Sequence, residues 1–513
     1  MNKKDIFYIT TPIYYVNDRP HIGHAYTTIA ADVTARWHRL KGDDVFFLTG
    51  TDEHGAKVAE SAAKAGVDPK AFADKNSEAY KEVFHRLQLS YDFFIRTTDS
   101  AHARQVGAFL EKLKANGAIY EGEYRGLYCT GCENFITEKE LVDGKCPIHK
   151  TVPASIAERN YFFKLKEYLS EVERRIQNNE IVIEPETRRQ EALGLLKQGL
   201  DDFSISREKV AWGIPFPFDK NQTVYVWVEA LQNYLTAIGY SDDRKKFEKY
   251  WPHVTHLMAK DILKFHAIFW PALLLAAGEE PPKRLFIHGF FTVNGEKMSK
   301  SLGNVLEPNA LVDQFGSDGA RYLLLTQFPF GDDGDVQAGR FIEKYNADLA
   351  NGLGNCASRI LTMLQKFSGG EVPSAVVSAE TQERITTART EIEQSLSSFA
   401  FERALQVLWA LLAFADGMID REKPWVLAKE KSEKLPQVLT DVVTILANVA
   451  LLVAPFLPDA AEKLRAALGL SAQWSYEVVL LPPGRAIAPI APLFPRLSAP
   501  IVGSTGAKPD GEN

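Results

Sequence analysis

The first fifty residues alternate strand, loop, helix and strand, and this order narrows the fold more than any other feature of the chain. Ile6-Phe7-Tyr8-Ile9-Thr10 is a short apolar run of strand type. After a loop reaching about Gly23, Ala25, Ile29, Val33, Trp37 and Leu40 recur at helical spacing, and Gly42 closes the helix. Asp44-Val45-Phe46-Phe47-Leu48-Thr49-Gly50 is the next strand. Strand–helix–strand repeats build a parallel sheet with right-handed crossovers, an α/β fold. Such sheets bind ligands at the carboxyl ends of their strands. Segments 12–23 and 49–55 each follow a strand, so both should border one pocket.

The character changes near Ala118. Strand-like pieces at 119–124 and 127–128 surround a cysteine cluster, a helical stretch runs over about 161–178, and 223–228 reads as a return to the sheet. Beyond about Phe341 helical patterns dominate, as at 400–418 and 435–453, which implies a bundle. The last residues, among them Gly503-Ser504-Thr505-Gly506, are small and polar and read as a disordered tail.

At 513 residues the chain has length for about three domains. Its net charge of −7 gives no global basic signal for nucleic acid, although a local basic face suffices for binding. No apolar stretch follows Lys3 and Lys4 as a secretion signal requires. The longest apolar run, 442–457, falls short of the ~20 residues of a membrane span and is broken by Thr444, Asn448 and Pro455. A buried core helix and a cytoplasmic protein, without membrane contact, are expected.

Three of the four cysteines fall between positions 129 and 146. Cys129-Thr130-Gly131-Cys132 is followed, thirteen residues on, by Cys146-Pro147-Ile148-His149, with Asp143-Gly144 as a turn between the halves. Three thiolates and one imidazole fill a tetrahedral Zn²⁺ shell with no open position, so the metal would be structural. The competing reading is a set of reduced thiols with no metal.

Two motifs bear on nucleotides. His21-Ile22-Gly23-His24 stands at a loop-to-helix turn, where free backbone N–H groups and the positive helix end suit phosphate. Gly23 allows close approach, and the two imidazoles add donors. Alone, the same letters fit two capping histidines equally well. The second motif is Lys297-Met298-Ser299-Lys300-Ser301, set between Gly295 and Gly303. Its ammonium groups on a flexible loop would stabilise charge building on phosphate oxygens. Alone, it also reads as an exposed basic loop.

Together, HIGH near the N-terminus and KMSKS roughly 270 residues later resemble the class I aminoacyl-tRNA synthetases. Thr11-Pro12-Ile13-Tyr14-Tyr15-Val16-Asn17, Gly50-Thr51-Asp52-Glu53-His54-Gly55, Tyr225-Val226-Trp227-Val228-Glu229-Ala230-Leu231, and Lys260-Asp261-Ile262 with Phe265-His266 narrow the resemblance to the methionyl-tRNA synthetase family. An insertion of about 105 residues holding a zinc motif leaves no room for a large editing domain. Another class I synthetase lacking such a domain, a small-molecule nucleotidylyltransferase and a non-catalytic binding descendant are the rivals.

The resemblance implies a Rossmann-like HIGH-type nucleotide-binding domain with a zinc-knuckle insertion, then an all-α anticodon-binding bundle. The expected division is catalytic domain 1–117 and 223–290, insertion 118–222, KMSKS loop and stem-contact region 291–340, anticodon bundle 341–497 and tail 498–513. It implies ATP-dependent activation of L-methionine, with Mg²⁺ on the phosphates, and transfer to tRNA(Met), initiator included, for translation initiation and elongation. His21, His24, Lys297 and Lys300 are the implied catalytic groups, with Asn17, Gly23 and Ser301 also on ATP. Ile13, Tyr15, Asp52, Trp227, Ala230, Tyr234, Ile262 and His266 are the implied methionine pocket. There Asp52 pairs with the ammonium, the aromatics enclose the thioether, and Tyr15 and His266 donate towards sulfur. Asn355, Arg359 and Trp425 are the implied anticodon readers, by base-edge hydrogen bonds and stacking. Trp425 and Trp227 each have a plain alternative as core aromatics. Longer family members append a dimerisation domain after the bundle, so a monomer is expected.

Overall fold

The computed structural model describes residues 4–297, 306–471 and 476–498. Six strands form the main sheet: β1 (Ile6–Tyr15), β2 (Asp44–Asp52), β3 (Phe93–Arg96), β4 (Val182–Glu184), β5 (Val254–Ala259) and β6 (Arg284–His288). Their order is β3-β2-β1-β5-β6-β4, and every pairing is parallel. The direction of winding reverses between β1 and β5. At such a switch point the loops beyond adjacent strands diverge and open a crevice.

Helix α1 (Ile22–Lys41) forms as its spacing dictates: Ala25, Ile29, Val33, Trp37 and Leu40 are all buried. Gly42, at φ 94°, ends it by donating to the carbonyls of Arg39 and His38. Strand β1 runs five residues further than its apolar run indicates. Pro12 has no N–H, and the register with β2 slips between Thr10 and Ile13. After the slip Ile13, Tyr14 and Tyr15 pair with Gly50, Thr51 and Asp52, which sets Tyr15 beside Asp52 at the crevice.

The insertion differs from its expected form in three ways. Residues 119–129 make one long strand, Ile119–Cys129, paired antiparallel with Ala154–Phe163. The helical stretch expected from 161 begins later, at Leu169–Gln177, because Tyr161, Phe162 and Phe163 complete the antiparallel pair. Residues 223–228 do not re-enter the main sheet. Asp219–Val224 belongs to a small three-stranded sheet, and Val226–Leu231 is a helix, so Trp227 is helical. An apolar run this short fits strand and helix alike. The return to the main sheet is made instead by β4, from inside the interval assigned to the insertion, and then by β5.

The C-terminal part is helical, as expected. Its helices include Asn355–Phe367, Ala379–Ser397, Phe401–Glu422, Leu435–Val453 and Pro458–Ala467. Leu435–Val453 is apolar and long enough to cross a membrane by composition, but it is buried at the centre of the bundle. The expected tail lies, apart from Ser498, outside the described residues.

Gly50 on β2 pairs with Ile95 on β3, and a Cβ at Gly50 would stand 2.1 Å from the Ile95 carbonyl oxygen. Backbone cannot yield as a flexible side chain does. Gly50→Ala is expected to destabilise the protein by about 3 kcal/mol. A urea titration showing a loss below about 1 kcal/mol would contradict this packing.

Candidate active site and zinc knuckle

His21 is the N-cap of α1. Its Nδ1 accepts from the Gly23 N–H at 3.1 Å, and the Nδ1 of His24 accepts from the His21 N–H at 3.2 Å. The rings stack 3.8 Å apart. Burial lowers the pKa of His21 to about 4 and that of His24 well below its ordinary value, so both rings are neutral. A neutral ring whose Nδ1 accepts carries its proton on Nε2. The motif therefore presents two Nε2–H donors of fixed tautomer.

The free amides expected at this helix start are already engaged. Ile22 N–H donates to the Leu306 carbonyl at 3.2 Å, Gly23 N–H to His21, and His24 N–H to the His21 carbonyl at 3.0 Å. The capping box uses the groups that the sequence reading assigned to phosphate. The bond to Leu306 also fastens the chain just after the KMSKS segment to the start of α1. Backbone pairing joins Lys297 to Thr292. The Lys297 side chain, Lys300 and Ser301 lie outside the described residues.

Asp52 is buried at the end of β2, and its Oδ1 has no hydrogen-bond partner among the described residues. Burial raises its pKa well above the usual carboxylate value, and Glu229, Glu133 and Glu53 push it further up. Two of these neighbours have their own cations. Arg96 grips Glu53 with Nε and Nη2 at 2.7 and 2.9 Å, while His54 Nδ1 lies 2.9 Å from Glu229. Burial depresses His54, but the Glu229 carboxylate outweighs it and the net shift is upward. Glu133 is met by the Lys57 N–H and the Tyr128 hydroxyl, whereas Asp52 Oδ1 has neither cation nor donor among the described residues.

Around Asp52 stand the other expected pocket residues. The buried Tyr15 hydroxyl is also unpartnered among the described residues, and its ring meets Trp227 edge-on at 6.1 Å. Trp227 stacks on Phe265 at 3.9 Å. Ala230 and Tyr234 are buried and Ile13 and Ile262 half-buried, while Asn17 lies in the turn after β1. His266 sits in a single π turn, Phe265–Phe269. Its Nδ1 meets the Ile262 carbonyl at 3.0 Å and so carries the proton, which leaves Nε2 to accept from Tyr234 Oη at 2.8 Å. The expected donation from His266 to sulfur therefore does not hold in this arrangement, since its one N–H is already used.

Three groups at this site were not singled out from sequence. Glu229 and His54 occur inside quoted motifs, but their pairing spans 175 positions, which no local pattern reveals. His256 on β5 meets Thr10 Oγ1 through Nδ1 at 2.7 Å, and its buried Nε2 is unpartnered among the described residues. Only the β1–β5 pairing brings them together.

The knuckle forms at the end of strand Ile119–Cys129. Cys129, Cys132, Cys146 and His149 place all their ligand atoms within 4.8 Å of one another, with no disulfide. The Cys132 and Cys146 sulfurs are 3.5 Å apart, close to the roughly 3.8 Å edge of a tetrahedron with ~2.3 Å Zn–S bonds. Asp143 and Gly144 both take positive φ, the expected tight turn. The imidazole of His149 packs over Gly131, where any Cβ would lie 2.6 Å from the ring. The knuckle is also bonded to the pocket: Trp227 Nε1 donates to the Cys132 carbonyl at 3.2 Å and Tyr225 Oη to the Glu133 carbonyl at 2.6 Å.

In the bundle, Trp425 is 47% exposed on the short helix Pro424–Lys429, which excludes the core reading. This helix packs against Asn355–Phe367, whose exposed Asn355 shares a face with Arg359. The Arg359 guanidinium is held by Asp416 and Asp420 at 2.8 and 2.7 Å.

Comparison with known proteins agrees with these features. The family described as tRNA synthetases class I (M) matches residues 7–155 and 139–361, and the anticodon binding domain of methionyl tRNA ligase matches 369–502. The methionine–tRNA ligase of Caldanaerobacter subterraneus subsp. tengcongensis is 43% identical over 505 residues, covering 96% of this chain and 79% of that protein. That of Streptomyces coelicolor is 40% identical, covering 96% of each. The structure of Mycobacterium tuberculosis methionyl-tRNA synthetase in complex with methionyl-adenylate superposes with a TM-score of 0.92 at 40% identity, over 96% of this chain and all of that one. With a Rossmann-type sheet, a cysteine–histidine knuckle and a helical anticodon domain in register along nearly its whole length, this chain belongs to the methionyl-tRNA synthetases, the class I methionine–tRNA ligases.

Proposed function

We propose that the crevice between β1 and β5 joins methionine to ATP with Asp52 as the anchor of the α-ammonium. The observation that carries this reading is the buried, unpaired Oδ1 of Asp52 among carboxylates whose own cations are in place. A ligand ammonium completes the charge balance. Tyr15, Trp227, Ala230, Tyr234, Ile13 and Ile262 then enclose the thioether chain, and the Trp227 ring offers the face that sulfur favours. The complex of the M. tuberculosis relative with methionyl-adenylate supports the same assignment.

Catalysis follows from positioning. A carboxylate oxygen of methionine attacks the α-phosphorus in line, the new P–O bond forms, and the bond to pyrophosphate breaks. The nucleophile is already ionised, so no general base is required. His21 and His24 donate through Nε2–H to phosphate oxygens, with Asn17 and Gly23 beside them. The family resemblance assigns Lys297, Lys300 and Ser301 to the phosphates as well, and the described backbone after them is bonded to the start of α1 through Leu306. Mg²⁺, bound with ATP, would offset the charge of the triphosphate. A terminal ribose hydroxyl of tRNA(Met) then attacks the adenylate carbonyl and releases AMP. Asn355, Arg359 and Trp425 read the CAU anticodon; Arg359 exchanges its carboxylate partners for base edges as the bases unstack.

The donor set of the knuckle fits one tetrahedral Zn²⁺ held by Cys129, Cys132, Cys146 and His149. A Zn²⁺ held there would fix the loop whose Cys132 carbonyl accepts from Trp227 Nε1.

ATP–pyrophosphate exchange with each amino acid tests the function, with methionine expected as the one efficient substrate. Asp52→Asn is expected to raise the KM for methionine about a hundredfold, some 3 kcal/mol, through loss of the ammonium partner. The pH response has a definite sign. Asp52 is protonated below its raised pKa, whereas the ammonium needs the anion, so the KM of the unmodified enzyme falls as pH rises through that value. A KM that does not fall as pH rises above the ordinary carboxylate range would remove Asp52 from this role.

Freshly purified protein is expected to hold one zinc per chain. Cys146→Ser should lose it, lower the melting temperature and raise the KM for methionine through Trp227. Elemental analysis finding no zinc refutes the metal assignment.

Trp425→Ala should leave methionine-dependent exchange unchanged and slow aminoacylation about tenfold or more, from ~1–3 kcal/mol of lost stacking. Equal losses in both assays count against the anticodon role.

A further inference from the structure

Arg321 is fully buried on helix Pro308–Leu325, the segment between the catalytic sheet and the bundle. Its guanidinium reaches three parts of the molecule. Nε and Nη2 donate at 2.8 Å to the carbonyls of Phe456 and Pro455, beyond the end of helix Leu435–Val453. Nη1 lies 2.7 Å from Asp32 Oδ2 on α1 and donates to the Leu87 carbonyl at 3.1 Å. The other oxygen of Asp32 holds the N–H and hydroxyl of Ser90, both at 2.6 Å. One turn before Arg321, buried Asp318 accepts from the N–H groups of Asp459 and Ala460 at 3.3 and 2.7 Å, at the start of helix Pro458–Ala467. A cation thus takes the carbonyls where one bundle helix ends, and an anion takes the amides where the next begins, both from a single helix turn. The two charges match the two helix ends. Gly316, at φ 70°, resets the helix immediately before this turn.

We infer that Arg321 is a positioning residue for tRNA charging: it holds the bundle at a fixed angle to α1, the helix that starts with His21 and His24. The chain of contacts is continuous. Helix Leu435–Val453 packs under both Pro424–Lys429, which carries Trp425, and Asn355–Phe367. Its far end is gripped by Arg321, which is bonded directly to α1. No step of methionine activation requires this joint. Delivery of a tRNA end, held at the bundle, to the adenylate does require it. The inference rests on the bundle as the anticodon reader.

The test compares three rates for the full chain: methionine-dependent pyrophosphate exchange, charging of tRNA(Met), and charging of a minihelix that lacks the anticodon arm. Lysine keeps the charge but not the planar fork. Arg321→Lys is expected to lower kcat/KM for tRNA(Met) about tenfold, while exchange and minihelix charging stay within about twofold. A parallel fall in all three rates assigns Arg321 a purely structural role, and no fall in tRNA charging leaves it none; either overturns the inference. If Arg321→Lys does not fold, the same three rates for Asp318→Asn decide by the same criteria. Unmodified enzyme that charges tRNA(Met) and an anticodon-substituted tRNA equally well would instead overturn the anticodon reading itself.

Discussion

The pairing of β1 with β5 is the contact on which the site depends. Tyr8, Ile9 and Thr10 meet Val254, Thr255 and His256 across some 245 positions of sequence. Because the winding reverses at this pair, the loops after β1 and β5 separate, and HIGH, the end of β2 and the π turn at His266 follow strands on either side of that gap. The intervening chain is free to carry other tasks. It supplies the edge strand β4, beside β6, and the knuckle and the helix that bears Trp227, which are bonded to each other.

Two carboxylates of that crevice hold cations, and a third holds neutral donors. Glu53 has Arg96, Glu229 has His54, and Glu133 accepts from Lys57 N–H and Tyr128 Oη. A buried carboxylate oxygen with no partner is costly, and a fold under selection for stability alone would remove it. Asp52 Oδ1 carries that cost. In the role proposed for Asp52, an arriving ammonium group would recover it, and the rings around it would accept the thioether end of the same ligand.

Much of this was readable in the residues because local chemistry carries it. The periodicity of α1, the glycine at its end, the Asp143-Gly144 turn and the four knuckle donors each depend on neighbours close in sequence, and each is found as expected. The missed features depend on distant partners. Residues 223–228 read as strand by composition, but Tyr225 and Trp227 bond to carbonyls of the knuckle, and packing there selects a helix. His266 read as a sulfur donor, because only the fold reveals that Ile262 and Tyr234 already occupy its two nitrogens. His54 with Glu229 and Thr10 with His256 were likewise invisible, since each pair exists only after the sheet has closed.

The start of α1 carries the most consequential difference between sequence and structure. A bare helix terminus binds anions through its own amides, and its strength is then fixed by the backbone. Here the capping box and Leu306 consume those amides, and the terminus is left with Nε2–H groups as its donors. Side-chain donors stand further from the helix axis than backbone amides do, which suits the triphosphate role proposed for them. They also remain uncharged, because burial keeps both imidazoles from protonating at neutral pH. In the proposed reaction such a neutral donor pair would hold substrate without trapping pyrophosphate. The described chain on either side of KMSKS is fastened, to α1 through Leu306 and to strand Phe291–Val293 through the Lys297 backbone.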